Sequence, residues 1–146
     1  MLSASARCAA ARQFPLRLTT GAFFLNSGIS KLGADEATAE GLQQFAAMTY
    51  PFLAKPDAQK FAKLLSAGEL AIAATLLVPF VPAAVAGAAL TAFSVGTLGL
   101  YLRTPGMREE GSLRPTEQGI TLAKDLWLLG VGVALVAEGV TEHEHR

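Results

Sequence analysis

The chain has 146 residues, of which 51% are hydrophobic and only 16% are charged, and its mean hydropathy is +0.38. Twelve basic side chains balance twelve acidic ones, so there is no positive surplus with which to bind nucleic acid through its phosphates. The single cysteine, Cys8, excludes an internal disulfide, a CxxC redox pair and a cysteine metal cage, and the composition is typical of a polytopic membrane protein.

Residues 1–13 are predicted to form a polar, basic N-terminal tail, because they contain Arg7 and Arg12 and no acidic residue. A signal or transit peptide is the alternative. The uncleaved tail is favoured because Asn26 and Lys31 interrupt the apolar segment that follows.

The first membrane helix is predicted at 14–32. Arg17 and Lys31 lie near its two ends, where their long side chains can reach the lipid headgroups. Small residues recur at every fourth position and predict a packing stripe that consists of Ala22, Asn26 and Ser30.

A polar stretch follows at 33–60. Asp35 is placed as the N-cap of an amphipathic helix, which we expect to lie at the membrane interface. Tyr50 and Phe52, beside two prolines, then predict an aromatic corner at headgroup level.

The segment 70–102 contains no Asp, Glu, Lys, Arg or His. One straight helix of this length would measure about 50 Å, well beyond a hydrocarbon core of about 30 Å. Pro79 and Pro82 therefore predict a hairpin of two membrane helices at 61–79 and 82–102. A buried hairpin in a soluble bundle is the alternative, but such helices carry a polar outer stripe, which is absent from this segment.

A charged loop at 103–117 contains a Pro-Gly turn, and the fourth membrane helix is predicted at 116–138. Residues 140–146 are predicted to be a short polar tail. Its two histidines, His143 and His145, are interpreted as solvated side chains rather than metal ligands.

These elements predict an all-α, polytopic membrane protein: an up-and-down bundle of four transmembrane helices with an interfacial helix in the first loop. Both termini then lie on one side of the bilayer. The basic N-terminal flank favours cytoplasmic termini in the cell membrane, although the basic residues of the two loops favour the opposite orientation.

The alternation brings five charged residues to one end of the bundle: Lys31, Glu69, Arg103, Lys124 and Asp125. A lone carboxylate within lipid is costly, so we expect Glu69 to pair with Lys31 or Lys124. At the opposite end, Arg17 and Glu138 are expected to form a second pair. The candidate ligand-binding pocket consists of Lys31, Glu69, Lys124, Asp125 and Asn26, and it could hold a quinone headgroup; alternatively, these charges only lock the bundle together.

Two motifs carry a resemblance to a known family. The first helix ends in G-x-x-F-L-x-x-G-x-x-K-L, from Gly21 to Leu32, and the second contains Gly68, Glu69 and Leu70. With these motifs, 17–139 resembles the DoxX-like family of four-helix membrane proteins, and the corresponding domain is set at 14–139. The basic residue that this family usually has between its second and third helices is absent here.

The resemblance implies the fold and associates the chain with thiosulfate:quinone oxidoreduction and with membrane assemblies of thiol-redox proteins. Three functions follow as hypotheses. The first is a non-catalytic membrane component, not an enzyme by itself, that supports a redox or quinone-linked assembly with soluble oxidoreductase partners. The second is a quinone-interacting subunit of a membrane oxidoreductase, and the third is a small-solute transporter. No intrinsic cofactor is expected, quinone is the ligand of the second hypothesis, and a homo-oligomer is an expected partner state.

Overall fold

The computed structural model describes residues 4–144. The secondary structure of this range consists of helices joined by loops, and it contains no strand. The four long helices are α1 (Ala4–Leu32), α3 (Ala58–Leu77), α4 (Ala83–Arg103) and α6 (Asp125–Glu144). Shorter elements lie between them: α2 (Glu36–Ala47), a 3₁₀ turn (Pro51–Ala54) and α5 (Ile120–Ala123).

Helix α1 begins at Ala4, ahead of the predicted start at 14, so most of the expected tail is helical. The cause is composition, because ASARCAAAR at 4–12 is rich in alanine, the strongest helix former. Residues 1–3 lie outside the described part of the chain.

The helix predicted at 116–138 is divided. The N–H of Trp127 bonds to the carbonyl of Lys124 at 2.9 Å, a tight three-residue turn that separates α5 from α6. Helix α6 then continues to Glu144 through the expected polar tail, which contains neither Gly nor Pro after Gly139. The side chain of His143 and the whole of His145 lie outside the described residues, so their predicted solvation stays a prediction.

The helix break predicted at the two prolines is confirmed, whereas the membrane crossing of both arms stays a prediction. Val78 adopts an extended conformation directly before Pro79 and ends α3, because a residue that precedes proline disfavours the helical conformation. Helix α4 follows immediately after Pro82. The predicted N-cap of α2 is also confirmed, since Asp35 accepts a hydrogen bond from the N–H of Thr38 at 2.8 Å.

The long helices form two antiparallel pairs, α1 with α3 and α4 with α6, and the contacts between the pairs are less extensive. A shared core joins the pairs and consists of Phe24, Ile72, Ala73, Leu76, Ala86, Leu90 and Leu135. The rings of Phe24 and Phe93 meet edge to face at 5.0 Å across the junction.

The packing face of α1 is not the predicted stripe. Gly21 and Gly28 lie against Leu77 and Leu70 of α3, so close that a Cβ at either glycine would stand 2.7 Å from a leucine side chain. Ala22, Asn26 and Ser30 are exposed on another face. A stripe with a spacing of four drifts around a helix of 3.6 residues per turn, whereas the spacing of Gly21, Phe24 and Gly28 follows one face.

Candidate functional site

An ion pair joins α1 to α3 at one end of the structure. The Nζ of Lys31 lies 3.0 Å from Oε2 of Glu69 and also donates to the hydroxyl of Ser27 at 2.6 Å. The Glu69 side chain is only 5% exposed and that of Lys31 is 20% exposed. The expected pairing of Glu69 with Lys31, rather than with Lys124, is therefore what the structure contains.

Small residues of both helices bring the two charges together. Gly28 allows α3 to approach α1, and the buried hydroxyl of Ser66 donates to the carbonyl of Gly28 at 2.7 Å. Because α1 and α3 are antiparallel, the step from Gly28 to Lys31 and the step from Ser66 to Glu69 run in opposite directions, and the long Lys31 side chain reaches back along α1 to Glu69. The buried hydrogen bond therefore fixes the register in which the ion pair forms.

The rest of the predicted pocket does not assemble around this pair. Asp125 is half-buried against Thr97 between α4 and α6, and Lys124 is exposed. Within the described part of the chain, no hydrogen bond or ion pair connects Asp125 with Lys31 or Glu69. Alternation places these charges at the same end, but Lys31 and Glu69 belong to the α1–α3 pair and Asp125 belongs to the α4–α6 pair. Asn26 is exposed on another face of α1.

At the opposite end, Arg17 does not form the predicted pair with Glu138. Its guanidinium donates to four backbone carbonyls at the end of α3 and in the following turn, at distances of 2.8–3.0 Å: those of Thr75, Leu76, Val78 and Val81. The carbonyl of Thr75 needs such a donor because its helical partner would be Pro79, which has no N–H. Glu138 instead bonds to Arg12, with an N–O distance of 2.6 Å.

A cavity of about 320 Å³ lies beside Arg17. Its polar lining residues are Arg17 and the buried Gln13, and its apolar walls include Phe14, Leu18 and Leu77. The sequence analysis missed this cavity because it placed 1–13 outside the bundle. The available signal was the alanine-rich composition of that segment, which favours continuation of the helix.

The described residues contain no cluster of three or more His, Cys, Asp or Glu side chains that could hold a metal ion. Two segments are long and apolar enough to cross a membrane, Ala83–Arg103 and Ile120–Thr141. The second consists of α5 and α6 together. Comparison of the chain with protein-family models, curated proteins and solved structures gave no significant match.

Proposed function

We propose that the chain is an integral membrane protein whose helices α1, α3, α4 and α6 each cross the bilayer, with α2 at the interface. The supporting observation is that large apolar side chains are exposed on the outside of a core that also buries small polar ones. Ser66 and Ser94 are fully buried, whereas Trp127 is 73% exposed and Phe80 is 90% exposed. In a soluble protein such large apolar side chains would be covered, so their exposure favours lipid as the surrounding solvent.

The lengths and charges of the other two helices fit this proposal. Helix α3 has 20 residues, which corresponds to about 30 Å. Its buried carboxylate, Glu69, faces α1 and is paired there with Lys31, so it is kept from the lipid. In α1, Arg17 and Lys31 border the apolar stretch and make their contacts with α3.

Four antiparallel spans would place both termini on one side of the membrane. We propose that this side is cytoplasmic and that the membrane is the cell membrane, because the N-terminal part of α1, ahead of its apolar stretch, carries Arg7 and Arg12 without an acidic residue.

We further propose that the chain is a non-catalytic membrane component of a redox or quinone-linked assembly with a soluble oxidoreductase. This role rests on the resemblance to the DoxX-like family. The two motifs that carry the resemblance lie against each other: Gly28 and Lys31 of the first contact Leu70 and Glu69 of the second.

The test is gentle detergent extraction from the cells that naturally produce the protein, followed by identification of copurifying proteins and lipids. We expect a soluble oxidoreductase to copurify with the wild type. Recovery of the chain with lipids alone would contradict the assembly, as would a haem-like spectrum in stoichiometric amount, since the chain would then carry its own redox centre.

A quinone-interacting subunit is the second candidate, and the cavity beside Arg17 and Gln13 is the observation that favours it. Its apolar walls suit a lipid-soluble ring, and Gln13 and Arg17 give its lining a polar side. Stoichiometric quinone in the lipid extract would favour this candidate over the purely supporting role.

A further inference from the structure

The loop between α4 and α5, residues 104–119, contains a small hairpin. Arg108 forms an isolated antiparallel bridge with Pro115, and the chain bends between them at Gly111. The φ of Gly111 is +70°, a conformation that favours glycine. Residues 108–115 are called the loop hairpin below.

Hydrogen bonds attach the loop hairpin to the last turn of α4. The hydroxyl of Tyr101, a buried residue, donates to the carbonyl of Leu113 at 2.6 Å. The guanidinium of Arg108 donates to the carbonyl of Leu102 at 2.8 Å and to that of Ser112 at 3.1 Å. Ser112 and Leu113 are therefore held beside the end of α4 rather than extended away from it.

These contacts set the depth of Leu113 relative to α4. Helix α4 has 21 residues and is therefore about 31 Å long, which matches a hydrocarbon core of about 30 Å. Tyr101 is two residues before Arg103, the last residue of the helix, or about 3 Å along its axis. If α4 spans the bilayer as proposed above, Leu113 lies where the acyl chains meet the lipid headgroups.

The side chains at this depth suit a lipid surface. Leu113 is 73% exposed, and the next residue, Arg114, is exposed as well. The guanidinium of Arg114 approaches the carboxylate of Glu109 only to 3.9 Å. A long basic side chain can hold its charge at the headgroups while an apolar neighbour enters the acyl chains, a combination that is typical of interfacial segments.

We propose that the loop hairpin lies on the membrane surface, with Leu113 inserted between the acyl chains and Arg114 beside the lipid phosphates. The inference rests on the proposed membrane insertion of α4 and goes beyond it, because it assigns a membrane contact to a charged loop. The depth of Leu113 is the reason for choosing phospholipid, rather than a protein, as the partner of this surface.

Tryptophan fluorescence in phosphatidylcholine vesicles tests the position of Leu113. Leu113→Trp is made in a Trp127→Phe background, so that the emission reports on position 113 alone. We expect blue-shifted emission that lipids brominated near the headgroup quench more than lipids brominated near the chain end, and that aqueous iodide quenches only weakly. Red-shifted emission that iodide quenches, with no effect of brominated lipid, would overturn the inference.

Two other outcomes would also overturn it. A protein partner in place of lipid would leave position 113 open to iodide in vesicles that contain this chain alone. Trp127 of the unmodified chain separates the causes of failure. If brominated lipid quenches Trp127 but not position 113, the placement of the loop hairpin fails alone; if it quenches neither, membrane insertion fails with it.

The hydrogen bond from Tyr101 provides a second test in the same background. Tyr101→Phe keeps the ring but removes the hydroxyl that holds the carbonyl of residue 113. The fraction of chains in which iodide reaches position 113 should rise about fivefold, as expected for loss of one hydrogen bond. The matched control is Tyr50→Phe, which should have no effect because the hydroxyl of Tyr50 bonds to the carbonyl of Gly96. Equal responses would overturn the placement of Leu113 by Tyr101.

Discussion

Arg17 is the side chain on which the end of α3 depends most. Two prolines follow this end within five residues and remove donors that would otherwise reach its last carbonyls. The guanidinium supplies these donors and places a cation at the negative end of the helix dipole.

We therefore expect Arg17→Gln to lower the free energy of unfolding by about 2 kcal/mol, as is typical of hydrogen bonds that involve a charged group. Unfolding can be followed by circular dichroism as SDS is added to mixed micelles. The matched control is Arg12→Gln, whose 66% exposed side chain pairs with Glu138 and should contribute less than about 1 kcal/mol. An equal loss in the two variants would contradict the role of Arg17.

The Lys31–Glu69 pair is the second residue-scale feature. Lys31→Met would leave a buried carboxylate without its cation, and we expect a loss of about 3–5 kcal/mol. The double variant Lys31→Met, Glu69→Leu removes both charges and should recover most of this loss. If the double variant is no more stable than the single variant, the two charges do not act as a pair.

Helix α2 illustrates how a single cap controls an element. The pKa of Asp35 is lowered because its carboxylate accepts one hydrogen bond from the side chain of Thr38 and another from the backbone N–H of Thr38. A carboxylate with a lowered pKa in the folded state stabilises the helix fully above its ordinary pKa of 3.8, and this contribution disappears as the pH falls through the lower, folded-state value.

NMR shifts of α2 in micelles should therefore show loss of helicity at the N-terminal turn in strongly acidic solution. Asp35→Ala should show this loss at every pH, whereas Asp35→Asn, which keeps a capping oxygen, should be insensitive to pH. An amide shift of Thr38 that does not respond to protonation of Asp35 in the wild type would contradict the capping role.

The α4–α6 contact depends on glycine at a position of close backbone approach. A Cβ at Gly87 would lie 2.6 Å from the carbonyl oxygen of Gly132 and 2.7 Å from the nitrogen of Val136. Because both neighbours are backbone atoms, Gly87→Ala must separate the helices, and we expect a loss of about 1–3 kcal/mol in the SDS titration.

The control for this variant is Gly130→Ala on α6, where a Cβ meets no atom within 4 Å. Alanine there should stabilise the helix by up to about 1 kcal/mol through its higher helix propensity. A destabilised Gly130→Ala together with a neutral Gly87→Ala would mean that α4 and α6 do not pack as described.

At the level of elements, the features that could be predicted from the sequence are those with a local cause. The break at Pro79 and the cap at Asp35 follow from the chemistry of single residues. The predicted start of α1 was wrong because the prediction gave the charges of Arg7 and Arg12 more weight than the alanines between them. The predicted packing face of α1 was also wrong. Gly21 and Ala22 are both small, and which of them faces α3 depends on where α3 lies.

At the level of the whole molecule, alternation of helices predicts which charges share an end but not which of them touch. Lys31 meets Glu69 because α1 packs on α3, and Asp125 is remote from them because α6 packs on α4. Which helices pack side by side depends on close contacts at glycine: Gly28 of α1 lies against α3, and Gly132 of α6 lies against α4. Of the predicted pocket, only the Lys31–Glu69 ion pair forms in the structure. The cavity beside Arg17 lies at the opposite end.

The central claim is that lipid surrounds the outer faces of these helices, and Trp127 tests it most directly. It is the only tryptophan of the chain, is 73% exposed and lies on α6 close to the level of Thr97 in α4. In reconstituted vesicles we predict blue-shifted emission that brominated acyl chains quench strongly and aqueous iodide does not. Red-shifted emission that iodide quenches, with no effect of brominated lipid, would contradict the claim.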